Sequence, residues 1–149
     1  MNGNELLELM EQRWSTLREL LEISNRQIVA IESERMSELM RLLSEKQTPL
    51  NRLADVSASI RQAADDDPAA RWWDSEETRG RCRRRQQECE QLHLELLAIE
   101  AECETALTES REFIQKKLDR VDAGQQAANR YADSQATPTQ GGQLDLSSD

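Results

Sequence analysis

The chain has 149 residues, of which 37% are apolar, 32% charged and only 3% aromatic, with five Gly, three Pro and a formal net charge of −10. Globular proteins average about 45–50% apolar residues, about 7% Gly and about 5% Pro, so this chain is short of core-forming bulk and of turn residues. A β-sandwich or a β-barrel needs more turn residues, and a doubly wound α/β domain needs more buried apolar residues. The composition therefore predicts a single all-α domain with few connections.

The acid excess and the cysteine pattern limit the partners and the compartment. Proteins that bind nucleic acids or anionic membranes carry an excess of Lys and Arg. This chain has an excess of acids, so we expect neither as a general partner. The sequence has no run of 18 apolar residues and no secretory signal at its N-terminus, so we expect no membrane insertion and a cytoplasmic location. Three cysteines without Cys-x-x-Cys spacing argue against a disulfide framework or a zinc site.

A heptad pattern of apolar residues predicts a first long helix over residues 4–64. The pattern slips by one residue after Ile31 and resumes at Leu39. Pro49 predicts a kink in this helix, with a break into two helices as the alternative. The first part of the seam consists of Met10, Trp14, Leu17, Leu21, a polar position at Ser24, Ile28 and Ile31.

A second long helix is predicted over residues 74–123. Three consecutive aspartates followed by Pro68 end the first helix, which makes residues 65–73 a loop. Asp74 and Glu77 have the spacing of a capping box, with Asp in place of Ser or Thr. The seam of this helix consists of Cys82, Cys89, Leu92, Leu96, Ile99, Cys103 and Ala106.

The two helices together predict an antiparallel helical hairpin over residues 1–123. Gly124 is a natural helix stop. Residues 124–149 have no apolar periodicity and cannot bury enough surface to offset their ordering entropy, so a flexible tail is predicted there. A hairpin with single seams leaves an apolar face partly covered, which a second copy in a homodimer or a helix of another protein would complete.

Catalytic chemistry has little support in this sequence. His93 is the sole histidine, and a residue beside the helical seam is its better interpretation than a general base. No Gly-rich phosphate loop and no nucleophile elbow occur. We therefore expect no enzyme activity, no cofactor and no metal, and we expect the three cysteines to be buried small hydrophobes.

Five arginines stand close together at the start of the second helix. One interpretation is structural, in which they pair with acids of the first helix across the hairpin. The alternative is a docking patch for an acidic partner. Binding of nucleic acid is a third and weaker interpretation. Trp72 and Trp73 in the preceding loop are either a contact site or a cap over the open end of the core. The arginines are Arg79, Arg81, Arg83, Arg84 and Arg85.

Three segments of the first helix resemble FlgN-type flagellar export chaperones. These are Leu20-Leu21-Glu22, the run Ile31–Leu39 (Ile-Glu-Ser-Glu-Arg-Met-Ser-Glu-Leu), and Leu43-Ser44-Glu45-Lys46-Gln47 followed by Leu50 and Leu53. The overall plan, an acidic chain of about 150 residues with two long arms and a polar tail, is also similar to that family. The resemblance covers most of the chain.

The resemblance implies a specific role. Such chaperones bind the terminal helices of hook-associated flagellar proteins in the cytoplasm, keep them unassembled and deliver them to the flagellar type III export gate. A tyrosine in the C-terminal segment contacts the export-gate platform protein, and Tyr131 is the tyrosine available here. The client-binding part of the second arm corresponds to Leu107, Phe113, Ile114, Leu118 and Val121.

A different class of function remains open from the residues themselves. Heptads of this kind also occur in structural coiled coils, and a scaffold or oligomeric adaptor would fill the seam with its own copies. An oligomer without a free apolar groove would favour the scaffold, and a free groove favours the chaperone.

Overall fold

The chain forms three α-helices joined by one tight turn and one longer loop. In the computed structural model, which describes the backbone of residues 1–147 and the side chains of residues 1–135, the helices are α1 (Gly3–Glu32), α2 (Met36–Ala63) and α3 (Glu76–Ser147). The loop between α2 and α3 contains one turn of 3₁₀ helix, Pro68–Ala70. No β-strand occurs within residues 1–147, so the all-α prediction is confirmed, while the count of two helices is wrong.

The first arm is two helices because the chain reverses at Ser33–Arg35. The amide of Arg35 donates to the Ala30 carbonyl at 2.8 Å and the amide of Glu34 to the Ile31 carbonyl at 3.1 Å, the hydrogen-bond pair of a Schellman helix end. Glu34 takes the left-handed conformation of this motif, with φ of 57°. Glycine usually occupies that position, so the glutamate here did not indicate a helix end. The slip of the heptad pattern after Ile31 was the feature of the sequence that marked the turn.

Pro49 lies inside α2 and does not break it. The helix continues from Met36 to Ala63, and the Pro49 side chain is fully buried. A proline ring removes one backbone hydrogen bond, which costs about 3 kcal/mol in an exposed helix. The apolar ring regains part of this cost through its burial. The alternative of a break near Pro49 is therefore wrong, because the break lies at Ser33–Arg35.

The three helices of the first compact unit, Met1–Thr108, form a bundle. The short turn makes α1 and α2 antiparallel. The Cys89 thiol lies 3.7 Å from the Met10 carbonyl, and the Cys103 thiol lies 3.7 Å from the Ser24 carbonyl. Both pairs are 79 residues apart, so α3 runs parallel to α1 in constant register.

The core of this unit consists of two apolar clusters. The first contains Leu17, Leu20, Cys89 and Leu96, with Trp14, Leu53, Leu92 and Ile99 packed against it. The second contains Ile23, Ala30, Ile31, Leu39, Leu42 and Cys103, with Ile28, Ala106 and Leu107 packed against it. Most of the residues that the two heptad seams predicted as core belong to these clusters.

The N-terminal end of α1 packs closely against the loop before α3. Asn2 caps α1, because its side chain accepts a hydrogen bond from the Glu5 amide at 2.9 Å and its own amide donates to the Glu5 carboxylate at 3.1 Å. The Gly3 amide donates to the Trp72 carbonyl at 2.7 Å, and the Trp73 ring lies over Gly3. Trp73 therefore covers this end of α1, while Trp72 is exposed.

The second compact unit begins at Glu109, within α3. The helix continues past Gly124 to Ser147, so it does not end at the predicted stop. Gly124 has no positive φ, and a side chain there would meet nothing within 4 Å. The flexible tail over residues 124–149 stays a prediction, and its last two residues lie outside the described part of the chain.

Candidate functional site

A polar cluster lies where the three helices of the first unit meet. Lys46 of α2 is only 7% exposed, and its ammonium donates to Gln27 of α1 at 3.0 Å and to Glu100 of α3. The Ser24 hydroxyl donates to the same Glu100 carboxylate at 2.5 Å. A buried charge needs a partner and further hydrogen bonds, and this cluster supplies both, so it fixes how the three helices align.

This cluster was not predicted from the sequence. Lys46 follows Leu42 by four residues and precedes Pro49 by three, which places it on the core stripe of α2. Ser24 occupies a seam position on α1 in the same way. Two polar residues on facing apolar stripes were the signal that could have identified a buried pair.

An apolar groove runs along the first unit between α2 and α3. It has a volume of about 450 Å³, and α1 contributes to its floor. Two side chains at its edges are large, apolar and exposed, Leu43 on α2 and Leu97 on α3. Its apolar lining consists of Ile31, Leu39, Leu43, Leu97, Ala101 and Leu107.

The α2 wall of this groove continues an exposed apolar stripe. Met36, Met40, Leu43 and Leu50 follow one another at helical spacing and are 40–65% exposed. The core stripe of α2 was predicted from the sequence, and this second stripe was not. An exposed stripe with heptad spacing is typical of a helix that receives a further helix.

In the second unit, four of the five residues expected to bind a client share an exposed apolar face. Phe113, Ile114, Leu118 and Val121 are between 47% and 65% exposed. Every residue from 111 to 135 is exposed, and the Lys117 ammonium lies over the Phe113 ring, 4.9 Å from its centroid. Leu107 belongs to the first unit, where it packs against the core and lines the groove.

Tyr131 lies on α3 and is 68% exposed. It is 18 residues beyond Phe113, which corresponds to five turns of an α-helix. The two rings therefore lie on the same side of this helix, about 27 Å apart along its axis. The sequence predicted Tyr131 beyond the end of the helix, and this placement differs because α3 continues.

The arginine cluster divides into paired and unpaired members. Arg85 binds Glu11 of α1 at 3.0 Å and Glu88 at 2.7 Å, and these carboxylates raise its pKa. Arg81 lies 3.3 Å from the same Glu11. Arg85 also stacks on Trp14, 3.7 Å from the ring centroid. Some of the cluster thus pairs with α1, as one interpretation predicted, although α1 and α3 are parallel.

The remaining three arginines make weak ion pairs or none within the described side chains. Arg79 lies 4.0 Å from the exposed Glu76 carboxylate, which is a weak contact. Arg83 and Arg84 are exposed and make no ion pair within residues 1–135. Arg84 lines a small polar cleft of about 260 Å³ together with Arg81, Arg85 and Glu88.

The three cysteines are free thiols, and all are buried. Burial raises the pKa of each of the Cys82, Cys89 and Cys103 thiols. Buried protonated thiols of this kind pack as small apolar groups and react slowly.

Among the described side chains, no group of His, Cys, Asp and Glu could hold a metal ion. In the same part of the chain, no helix is both long enough and apolar enough to cross a membrane.

The chain thus has a helical bundle with an open apolar groove in its first unit and an exposed apolar face on α3 in its second. The family model described as FlgN protein matches residues 1–145, so the chain belongs to the FlgN family. This is a family of flagellar export chaperones, and the resemblance noted in the sequence is confirmed. No match was found among curated proteins or among solved structures.

Proposed function

We propose that this chain is a cytoplasmic export chaperone for hook-associated flagellar proteins. It binds their terminal amphipathic helix, prevents premature assembly and delivers them to the flagellar type III export gate. The observation that supports this proposal most is the exposed apolar face of α3 in the second unit, formed by Phe113, Ile114, Leu118 and Val121. Membership of a chaperone family favours this function over a structural scaffold.

The spacing of this face suits a client helix. Ile114, Leu118 and Val121 are related as i, i+4 and i+7 and form one stripe, and Phe113 lies to one side of it, about 100° around the helix from Ile114. The face is about 12 Å long, which matches two turns of a partner helix. A contact of this size gives moderate affinity, which a chaperone that must release its client requires.

Two substitutions on this face test the proposal. Ile114→Asp with Leu118→Asp places two carboxylates where apolar side chains would be buried, so co-purification with hook-associated proteins should fall at least about tenfold. The matched control is Gln115→Asp with Ala123→Asp, on other sides of the same exposed helix. Circular dichroism should show equal helix content in both variants. Undiminished co-purification of the first variant would exclude this face as the client site.

The same proposal assigns delivery to the end of α3 and to Tyr131. Removing the residues after Ala123 leaves the core of residues 1–108 intact, so the thermal unfolding of that unit should be unchanged. Docking to the export-gate platform protein should be lost in this truncation and weakened by Tyr131→Ala, with Gln126→Ala as the matched control. If the truncated chain still binds the export-gate platform protein, that protein must contact another surface of the chain.

The arginine cluster is a second docking surface in this proposal, for an acidic segment of a partner protein. Its available members are Arg83 and Arg84, because Arg81 and Arg85 already pair with Glu11. Arg83→Glu with Arg84→Glu should weaken such a contact without loss of helix content. Arg18→Glu with Arg26→Glu on α1 is the charge-matched control. Loss of binding to RNA or DNA instead would favour a nucleic-acid partner.

A further inference from the structure

The groove between α2 and α3 has exposed apolar edges and acidic surroundings. Two glutamates of α3 line it, Glu100, which pairs with Lys46, and Glu104. Among these, Glu104 is exposed and makes no ion pair within the described side chains. An occupant of this groove therefore needs an apolar stripe flanked by positive charge.

Residues 113–121 of this chain have that chemistry. Beside the four apolar residues they contain Lys116, Lys117 and Arg120 against a single acid, Asp119, so the segment has a net charge of +2. Its apolar face is about 12 Å long, and the groove lining on α3, from Leu97 to Leu107, spans about 15 Å. A segment of this length fits within the groove, and its positive charge complements Glu104.

We propose that residues 113–121 of one copy bind the α2–α3 groove of a second copy, and that the second copy returns the same contact. The exchange buries the exposed leucines at the groove edges under Ile114 and Leu118. It places basic side chains of one copy near Glu104 of the other. Such a contact is isologous and closes as a two-fold dimer.

This dimer has a consequence that rests on the proposed function. The residues that enter the groove are those proposed to bind the client, so self-association and client binding exclude each other. The dimer then protects the apolar faces of the idle chaperone, and a client helix converts it to a one-to-one complex. Excess client should lower the dimer fraction measured by light scattering.

Sedimentation velocity of the full chain tests the dimer itself. Leu97→Asp changes the groove and leaves residues 113–121 intact, whereas Ile114→Asp changes the segment and leaves the groove intact. Each should raise the dimer dissociation constant at least about tenfold, because an aspartate would be buried in an apolar contact. Val29→Asp, an exposed apolar residue of α1 outside this groove, should leave it unchanged.

Mixing the two variants makes the test specific. A Leu97→Asp chain still offers its segment and an Ile114→Asp chain still offers its groove, so the mixture should form a heterodimer through one intact contact. A wild-type chain that stays monomeric, a dimer that neither variant weakens, or a mixture that fails to associate would each overturn the proposal. If Leu97→Asp lowers helix content, Leu97→Ser takes its place.

These outcomes are independent of the client. Leu97→Asp should weaken the dimer and leave client binding intact or improved, and Ile114→Asp should weaken both. If the client binds elsewhere, it will not compete with the dimer, and the dimer will still form. Failure of the proposed function is therefore distinguishable from failure of the proposed dimer contact.

Discussion

Lys46 and Glu100 form an ion pair that joins α2 to α3 inside the bundle, and its two ends differ in their access to water. The Lys46 side chain is 9% exposed, whereas that of Glu100 is 38% exposed. An ammonium buried to this degree depends on its protein acceptors, while the carboxylate retains access to solvent. The two partners should therefore respond unequally to substitution.

Glu100→Gln should destabilise the bundle by about 2 kcal/mol, because it leaves the buried Lys46 ammonium with neutral acceptors only. Lys46→Met should cost about 1 kcal/mol or less, because it removes the buried charge and leaves a carboxylate that water and Ser24 can reach. Urea unfolding followed by circular dichroism measures both. Glu102→Gln, on an exposed position of the same helix, is the control and should change stability by less than about 0.5 kcal/mol. Equal losses in both variants would contradict the unequal roles.

Gly3→Ala should destabilise the chain although alanine is the better helix former. A Cβ atom on Gly3 would lie 2.7 Å from the Trp72 carbonyl oxygen and would overlap the Trp73 ring. Displacing that ring and the loop backbone costs about 1–3 kcal/mol, more than the gain of up to about 1 kcal/mol in helix propensity. Thermal unfolding should show a lower midpoint.

Gly80→Ala on α3 is the matched control for this effect. A Cβ atom there meets only the end of the flexible Arg84 side chain at 3.6 Å, so the helix propensity gain should appear undiminished. Gly80→Ala should raise the free energy of unfolding by about 0.5–1 kcal/mol. Opposite signs for the two glycines are expected, and a stabilised Gly3→Ala would show that the tryptophan loop yields easily.

Glu34→Gly should stabilise the turn between α1 and α2. The left-handed conformation costs a residue with a Cβ atom about 1–2 kcal/mol, and glycine adopts it freely while losing more entropy on folding, so the net gain should be about 0.5–1 kcal/mol. Glu34→Ala removes the carboxylate but retains the Cβ atom, so it should give no such gain. Chemical denaturation of the two variants separates the backbone effect from the charge effect.

The apolar stripes that build the core could be read from the sequence, and the turn at Glu34 could not. Leu17, Cys89 and Cys103 occupy seam positions because a buried helix face repeats every three to four residues. The reversal after α1 uses a glutamate where glycine is usual, so the energetic cost of Glu34 is offset by tertiary packing that the sequence does not display. Pro49 lies inside a continuous helix, as the favoured interpretation expected, and only the alternative of a break there is wrong.

Of the candidate surfaces, too, one was predicted from the sequence and one was not. The exposed apolar face at Ile114 and Leu118 was predicted through the family resemblance, and it has the expected spacing on α3. The groove was not predicted, because Met40 and Leu43 share α2 with a stronger core stripe and only the packing shows which stripe remains open. Which apolar residues are exposed depends on how many helices cover them, and that number was the incorrect part of the sequence prediction.

The buried thiols predict a loss of stability at alkaline pH. Burial raises the pKa of Cys82, Cys89 and Cys103 in the folded chain, so the folded thiols stay protonated where those of the unfolded chain ionise. The unfolded chain then binds fewer protons, so the contribution of the thiols to the free energy of unfolding should decrease as the pH rises through the ordinary thiol pKa of about 8.5.

Urea unfolding at pH 7 and pH 9.5 measures this decrease, with a variant in which all three cysteines are alanine as the control. The variant should be less stable at both values because it loses buried volume, but its change between them should be smaller than that of the wild type. A thiol reagent provides an independent reading, because it should label the folded chain slowly and the urea-unfolded chain at once. Rapid labelling of the folded chain, or an equal pH dependence in both proteins, would show that these thiols are in contact with water.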